Sequence, residues 1–396
     1  MEVSTNLASP SGGTPSSQFY VPNVPKVTYQ DPQSISSNYG WGLPVDFVLP
    51  KIGKVIDMVL QIDVTVTGTD PVYFPPTPMW FERLETSVGG SAPFETVNKD
   101  ECLQETLMFL DVQDFQTIAP KCNINSDGSW KTSTALPVGT TRFFLPLWSN
   151  CLMTSQLFLK GFESDWRLRF ILSQNTPHMG MPLTATTANI TGLRLLLTEA
   201  RMSDWAEKAL LMQHQLGHVV YKTINRLRHL DTKVPGAGST EFTLTTFGND
   251  SAGVLTYFRA TDNSTDYSKL GLRAEITSLN LRDANGNPYY ATDLDGDFNL
   301  YFLSPWSVTA EPLADNRGKY NYLLPFSANV GTVLKDGRDL GAYRMSGKER
   351  IVINLSSAQA ENLVDNLGTP VFVAISYDYM RINCWQGKAS VKYNRS

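Results

Sequence analysis

Histidine is the side chain most often used for proton transfer and metal ligation, and this chain has four in 396 residues. Two of them, His214 and His218, are four apart. On a helix that spacing puts two imidazoles on one face, where they can share a metal ion. Gly217 stands between them and Val219-Val220-Tyr221 follows, so the stretch is expected to be extended. Side chains four apart on a strand are too distant for one small ion. A second candidate is Asp293-Leu294-Asp295-Gly296-Asp297. It resembles the start of a calcium loop, in which alternate carboxylates hold a hard cation. The glycine comes one place early and the distal glutamate is missing. Asp293, Asp295 and Asp297 are therefore weak calcium candidates, set against the plainer reading of an acid-rich turn.

Other chemistry is hard to place. No Gly-x-Ser-x-Gly, P-loop or dinucleotide fingerprint occurs. There is no His-x-His, which a cupin-type metal site on a double sandwich would need. Glu82 and Glu85 are paired carboxylates with nothing to mark them as special. Asn263-Ser264-Thr265 spells a glycosylation sequon, but the N-terminus has no basic-then-apolar leader, so the match is read as chance. Cys102, Cys122, Cys151 and Cys384 are far apart, with no CxxC pair, and are expected as free thiols in a reducing compartment. No catalytic residue, cofactor or small-molecule substrate is assigned, and the chain is read as something other than an enzyme.

Composition narrows the partners. The formal net charge is −5, without the broad basic stripe that specific nucleic-acid binding requires. The most basic stretch is Lys222, Arg226, Arg228, His229 and Lys233. It reads either as a solvated face or as an inward-facing patch near nucleic acid or anionic lipid. Charged residues make up 18%, against about 25% in ordinary globular proteins. That shortage fits a surface partly covered by other subunits. No apolar run reaches the roughly 18 residues of a membrane span.

The elements that must carry these residues are mostly strands. Ile56, Met58, Leu60, Ile62, Val64 and Val66 alternate with mostly polar neighbours, which predicts a strand of an antiparallel sheet packed on one face. Further strands are expected at 80–88, 141–147, 166–172 and 190–198. A helix is expected over about 98–111, with Leu103, Leu107 and Leu110 as its core stripe. A second, over about 199–211, has Trp205, Ala209 and Met212 at helical spacing. The second half repeats the pattern with strands near 241–247, 254–259, 275–282, 320–326, 350–355 and 371–380. A motif also repeats: Phe143-Phe144-Leu145-Pro146-Leu147-Trp148 in the first half and Tyr322-Leu323-Leu324-Pro325-Phe326-Ser327 in the second. A turn signal precedes each, Gly89-Gly90 and Asn285-Gly286.

Length alone argues for two or three domains. Short strands separated by long loops favour jelly rolls over up-and-down barrels. The expected fold is all-β: two tandem eight-stranded antiparallel jelly rolls with short helices in the loops. The expected parts are an N-terminal arm over 1–45, a first roll over 46–200, a helical connector over 201–240 and a second roll over 241–396. The arm carries Phe19, Tyr20, Tyr29, Tyr39 and Trp41, which could anchor it to another surface.

These motifs, in this order, resemble the double-jelly-roll major capsid proteins of tailless icosahedral DNA viruses, the lineage of membrane-containing phages and large eukaryotic DNA viruses. The similar segments are Thr141 to Trp148, Trp166 to Phe170, Glu241 to Arg259, Glu275 to Tyr290 and Tyr377 to Ile382. The resemblance implies a virion protein, synthesised in the host cytoplasm, that self-assembles into pseudo-hexagonal homotrimeric capsomers tiling the shell facets. It implies neighbouring trimers, penton and minor capsid or membrane proteins as partners. It also implies that the arm reaches beneath neighbouring trimers or touches an internal membrane, so that removing residues 1–40 would spare the trimer. The alternative is a tandem β-sandwich binding module, such as a spike, lectin or adhesin, with Trp306 or Trp385 stacking on sugars.

Overall fold

The computed structural model of the chain describes residues 26–30, 40–69, 71–110, 112–126, 128, 131, 135–147, 152, 157–173, 187–200, 202–260, 274–308, 321–336, 339–384 and 389–392. Phe19, Tyr20, Tyr39, Trp148, Cys151, the Asn263-Ser264-Thr265 sequon and Trp385 lie outside the described residues.

Among the described residues, eight strands build the first unit: β1 (Lys26–Gln30), β2 (Pro44–Val48), β3 (Lys54–Thr67), β4 (Phe81–Val88), β5 (Glu95–Asn98), β6 (Gly139–Pro146), β7 (Trp166–Leu172) and β8 (Thr187–Ala200). They form two four-stranded antiparallel sheets, ordered β1-β8-β3-β6 and β2-β7-β4-β5. Their inward side chains make one core with Trp80 of the turn before β4, and Trp166, Phe47, Phe81 and Phe170 are among its largest buried members.

The second unit repeats that order. Its strands are β9 (His218–Leu230), β10 (Gly238–Thr243), β11 (Asp250–Ala260), β12 (Ser278–Arg282), β13 (Leu294–Asp295), β14 (Tyr322–Pro325), β15 (Tyr343–Arg344), β16 (Arg350–Leu355), β17 (Gly368–Asn383) and β18 (Ala389–Lys392). One sheet runs β10-β16-β12-β13. The other runs β9-β17-β11-β14, with β15 added beside β11 and β18 beside β17. With β15 and β18 set aside, the rank order in both units is 1-8-3-6 and 2-7-4-5. That is a jelly roll made twice. The repeated proline motif falls on β6 and β14, the sixth strand of each roll. The paired turn signals follow β4 and β12, the fourth strand of each.

Helices occupy the connections. They are α1 (Lys99–Met108), α2 (Val112–Ile118), α3 (Asp204–Gln215), α4 (Gly296–Phe298), α5 (Ser304–Val308), α6 (Val330–Asp336) and α7 (Ser357–Asp365). A π-turn at Asn299–Leu303 joins α4 to α5.

Four expectations need correction. Residues 218–230, placed in a helical connector, form β9, which pairs with β17 along its whole length. Its arginines disguise it, because they face a buried seam rather than water. Residues 26–30, placed in the arm, form β1 against β8. Trp41 also belongs to the first roll, stacking on Phe74 and donating from Nε1 to Ala188 O at 2.9 Å. Ile56 is not on the apolar face of β3. The register slips between Val55 and Asp57, so Val55 and Met58 point inward and Ile56 is 37% exposed. On α3 the buried face is Ala206, Leu210 and His214, while Trp205 and Met212 are exposed. The contact that orients α3 is His214, whose ring sits where any Cβ on Gly161 would collide with it.

Candidate functional site: the seam between the rolls

Helix α1 begins with a capping box. Asn98 is its N-cap, and Glu101 returns to accept from the Asn98 backbone N–H at 2.9 Å. Its predicted stripe, Leu103, Leu107 and Leu110, is buried with Met79, Phe115, Cys122 and Ile124 in a satellite core of the first roll. The opposite side of α1 faces the second roll.

There, two arginines of β9 meet four carboxylates of the first roll. Arg226 forks onto Glu105, with Nη2 to Oε2 at 2.7 Å and Nε to Oε1, and also reaches Glu95 at 3.4 Å. Arg228 forks onto Asp100, with Nη1 to Oδ1 at 3.0 Å and Nη2 to Oδ2, and reaches Glu101 at 3.3 Å. Tyr257 of β11 donates its hydroxyl to Asp100 at 3.0 Å. An apolar cluster surrounds the network: Met108 and Phe109 from the first roll, with Ile224, Leu255, Val371, Val373 and Ile375 from the second. The β9-β17-β11-β14 sheet is therefore buried on both faces, which explains the nearly unbroken apolar run of β17.

Burial sets the protonation here. It pushes the Glu101 carboxyl up to about 7, helped by Asp100 and opposed by Arg228. It also raises Glu105, against the pull of Arg226. Burial works against the charge on both arginines, and the carboxylates outweigh it, so both are held more firmly protonated than usual. Fork-on-fork pairs fix geometry in two directions. Their net gain over apolar packing is small, but removing one partner costs about 3–5 kcal/mol. The arrangement is a register device. Its charges are locked in pairs.

A second joint lies at the far ends of β9 and β17. Val219, Tyr221, Ile382 and Cys384 belong to the core of the first roll, not the second. His214 is held beside them between Phe158 and Phe162. Its Nδ1–H donates to Leu210 O at 2.7 Å and its Nε2 accepts from the Tyr221 hydroxyl at 2.9 Å. Both ring nitrogens are used, and burial lowers its pKa. His214 is a packed core histidine rather than a metal ligand.

The remaining sequence candidates are accounted for. Asp295 caps α4, accepting from Phe298 N at 2.9 Å, and Asp293 accepts from Asn280 at 3.0 Å. With Asp297 they form no group that could hold a metal ion, and none of three or more such ligands exists among the described residues. Of the basic stretch, Lys233 is exposed, and the rest is drawn into contacts. Arg226 and Arg228 are consumed by the seam, and Lys222 lies 3.5 Å from Asp339 and over the Tyr377 ring. Glu82 pairs with Lys99 and Glu85 with Arg83. Cys102, Cys122 and Cys384 are buried free thiols. The seam itself went unread in the sequence, because its partners are 121 to 157 residues apart. Two signals were present: arginines two apart on a strand, and glutamates four apart on a helix, each pair sharing a face.

The duplicated strand order defines the fold class as a double jelly roll. By sequence, the chain matches no family model and no curated protein. By structure it is similar to VP54 of PBCV-1, with a TM-score of 0.64 at 13% identity over 95% of this chain and 98% of that one. It is similar to the Faustovirus major capsid protein, with a TM-score of 0.64 at 9% identity over 91% of each chain. A chain of Sulfolobus Turreted Icosahedral Virus aligns with a TM-score of 0.51 at 12% identity, covering 89% of this chain and 90% of that one. At such identities the likeness establishes a shared fold: this chain has the double-jelly-roll fold of viral major capsid proteins.

Proposed function

We propose that this protein is the major capsid protein of an icosahedral DNA virus and that three copies form a pseudo-hexagonal capsomer tiling the shell facets. The observation that carries the reading is the identical strand order of two rolls fused through a buried seam. Two similar, rigidly joined units taken three times about an axis give six similar sectors, and a six-sided block packs a flat facet. The role is structural and not enzymatic. The chain divides into a leading arm, two rolls and the α3 link, and its place is the virion. Neighbouring trimers are its first partners. Penton, minor capsid or membrane proteins follow, with residues 1–25 of the arm reaching beneath neighbouring blocks or toward an internal membrane. Sedimentation velocity on the purified full chain tests the reading. A single species of three times the chain mass at micromolar concentration supports it, and a stable monomer opposes it.

A further inference from the structure

We propose that copies in this trimer meet through a repeat of the internal seam: the helical segment 296–308 of one chain lies on the outer face of the β1-β8-β3-β6 sheet of the next. The inference rests on the trimer reading above and adds the two surfaces that meet.

The internal seam is head-to-tail. The connection between the fifth and sixth strands of the first roll, which holds α1, covers the 1-8-3-6 sheet of the second roll. A head-to-tail contact leaves one complementary pair unused. Here that pair is the fifth-to-sixth connection of the second roll, residues 296–308, and the 1-8-3-6 sheet of the first. Three copies would then close a ring of six equivalent contacts, three within chains and three between them.

The two connections align by their helix caps. Setting Asp295 on Asn98 puts Asp297 at the place of Asp100, Leu300 at that of Leu103 and Trp306 at that of Phe109. Leu103 and Leu300 are both buried, at 2% and 8%. Phe109 is 1% exposed within the seam, whereas Trp306 is 59% exposed. What α1 spends on the second roll, the 296–308 segment presents to the outside.

The segment is held to its own roll by mixed contacts: Asn299 donates to Leu323 O at 2.8 Å and Ser304 donates to Asn299 Oδ1 at 2.8 Å, beside buried Leu300, Pro305 and Val308. Its outer side carries Phe298, Tyr301, Phe302 and Trp306, 45 to 59% exposed, with Phe298 and Phe302 stacked at 5.9 Å. Four large aromatics on the outside of a segment whose inner side is already packed on its own roll fit a helix that is covered from both sides.

The receiving face can be found by register. Pro146 stands opposite Val59, and Pro325 opposite Gly253. Following the pairings outward, Gln61 and Asp63 take the places of Leu255 and Tyr257, and Arg194 and Leu196 those of Val373 and Ile375. The seam's charges also have a counterpart. Exposed Asp293, Asp295 and Asp297 sit at the start of the segment, while Arg194 and the exposed, Asp63-bound Arg142 sit on the sheet. The acidic turn of the sequence becomes the acidic half of an intermolecular contact, as Asp100 and Glu101 are of the internal one.

Two experiments on the full chain test this. In the first, the Phe302→Asp/Trp306→Asp variant is compared with wild type by sedimentation and circular dichroism. The expected result is a wild-type trimer and a folded monomeric variant, with at least a 100-fold loss of association. A variant that remains trimeric would overturn the surface assignment while leaving the trimer reading intact, and a wild-type monomer would overturn both. In the second, which tolerates a poorly folding double variant, a benzophenone amino acid replaces Trp306. Light should couple it to a peptide from residues 54–67 or 187–200 of another copy. Coupling only to other regions of a second copy, or none in a sample that is trimeric, would refute the placement.

Discussion

Replacing Arg226 with methionine isolates the register device at the seam. The side chain keeps its length and loses its charge. Arg226 is 3% exposed and its main partner Glu105 is 5% exposed, so water cannot replace the lost contact. The variant leaves the Glu105 carboxylate buried beside Glu95, which costs about 3–5 kcal/mol. Burial already raises Glu105, and Arg226 is what opposes that rise. Without the arginine, burial should raise Glu105 further, so that it takes up a proton more readily. The penalty should therefore be larger at pH 8 than at pH 5. The double variant Arg226→Met/Glu105→Met removes both charges and should recover most of the loss, because an apolar pair of similar volume fits the surrounding cluster of Met108, Ile224 and Ile375. Urea denaturation with tryptophan fluorescence measures each variant, and calorimetry asks whether the rolls now melt separately. A cost below about 0.5 kcal/mol, or a double variant no better than the single, would refute the view that this pair sets the register of the rolls.

Other outcomes follow from the same structure. Glu101 is held at about 7 against an ordinary 4.5. A carboxyl that binds its proton more tightly when folded contributes stability in full below pH 4.5 and loses it as pH rises through about 7, up to about 3 kcal/mol in all. Glu101→Gln should flatten the stability profile between pH 5 and 8, and an unchanged slope would count against the assignment. Gly296→Ala should cost at least about 1–3 kcal/mol by overpacking, since a Cβ there would overlap the Ile276 carbonyl. Thermal melting reads this directly. Removing residues 1–25 should leave the melting curve unchanged. Removing 1–39 takes β1 from the edge of β8 and should lower the midpoint, a different outcome from the one the sequence suggested for the arm.

What could be read in the chain was whatever repeats over short distances. The alternation of β3 from Met58 onward, the stripe of α1 and the proline motif of β6 and β14 are local patterns, and each lies where the sequence placed it. The duplicated motif carried the largest inference, because equivalent strands in two rolls meet equivalent neighbours. The failures share one cause. Ile56 turns outward because a bulge adds a residue that no local pattern announces. Trp205 and Met212 stand at helical spacing without showing which side is buried, and His214 determines that side of α3. Arg226 and Arg228 make β9 look like surface, since nothing near them in sequence reveals the carboxylates across the seam. Long-range pairing, not propensity, decided all three.

The shape of the assembled block tests the trimer of paired rolls most directly. Two-dimensional class averages from electron microscopy of the purified full chain should show threefold particles of hexagonal outline, with six sectors alternating between two slightly different densities. Particles that are monomeric, twofold, or triangular with only three sectors would contradict it.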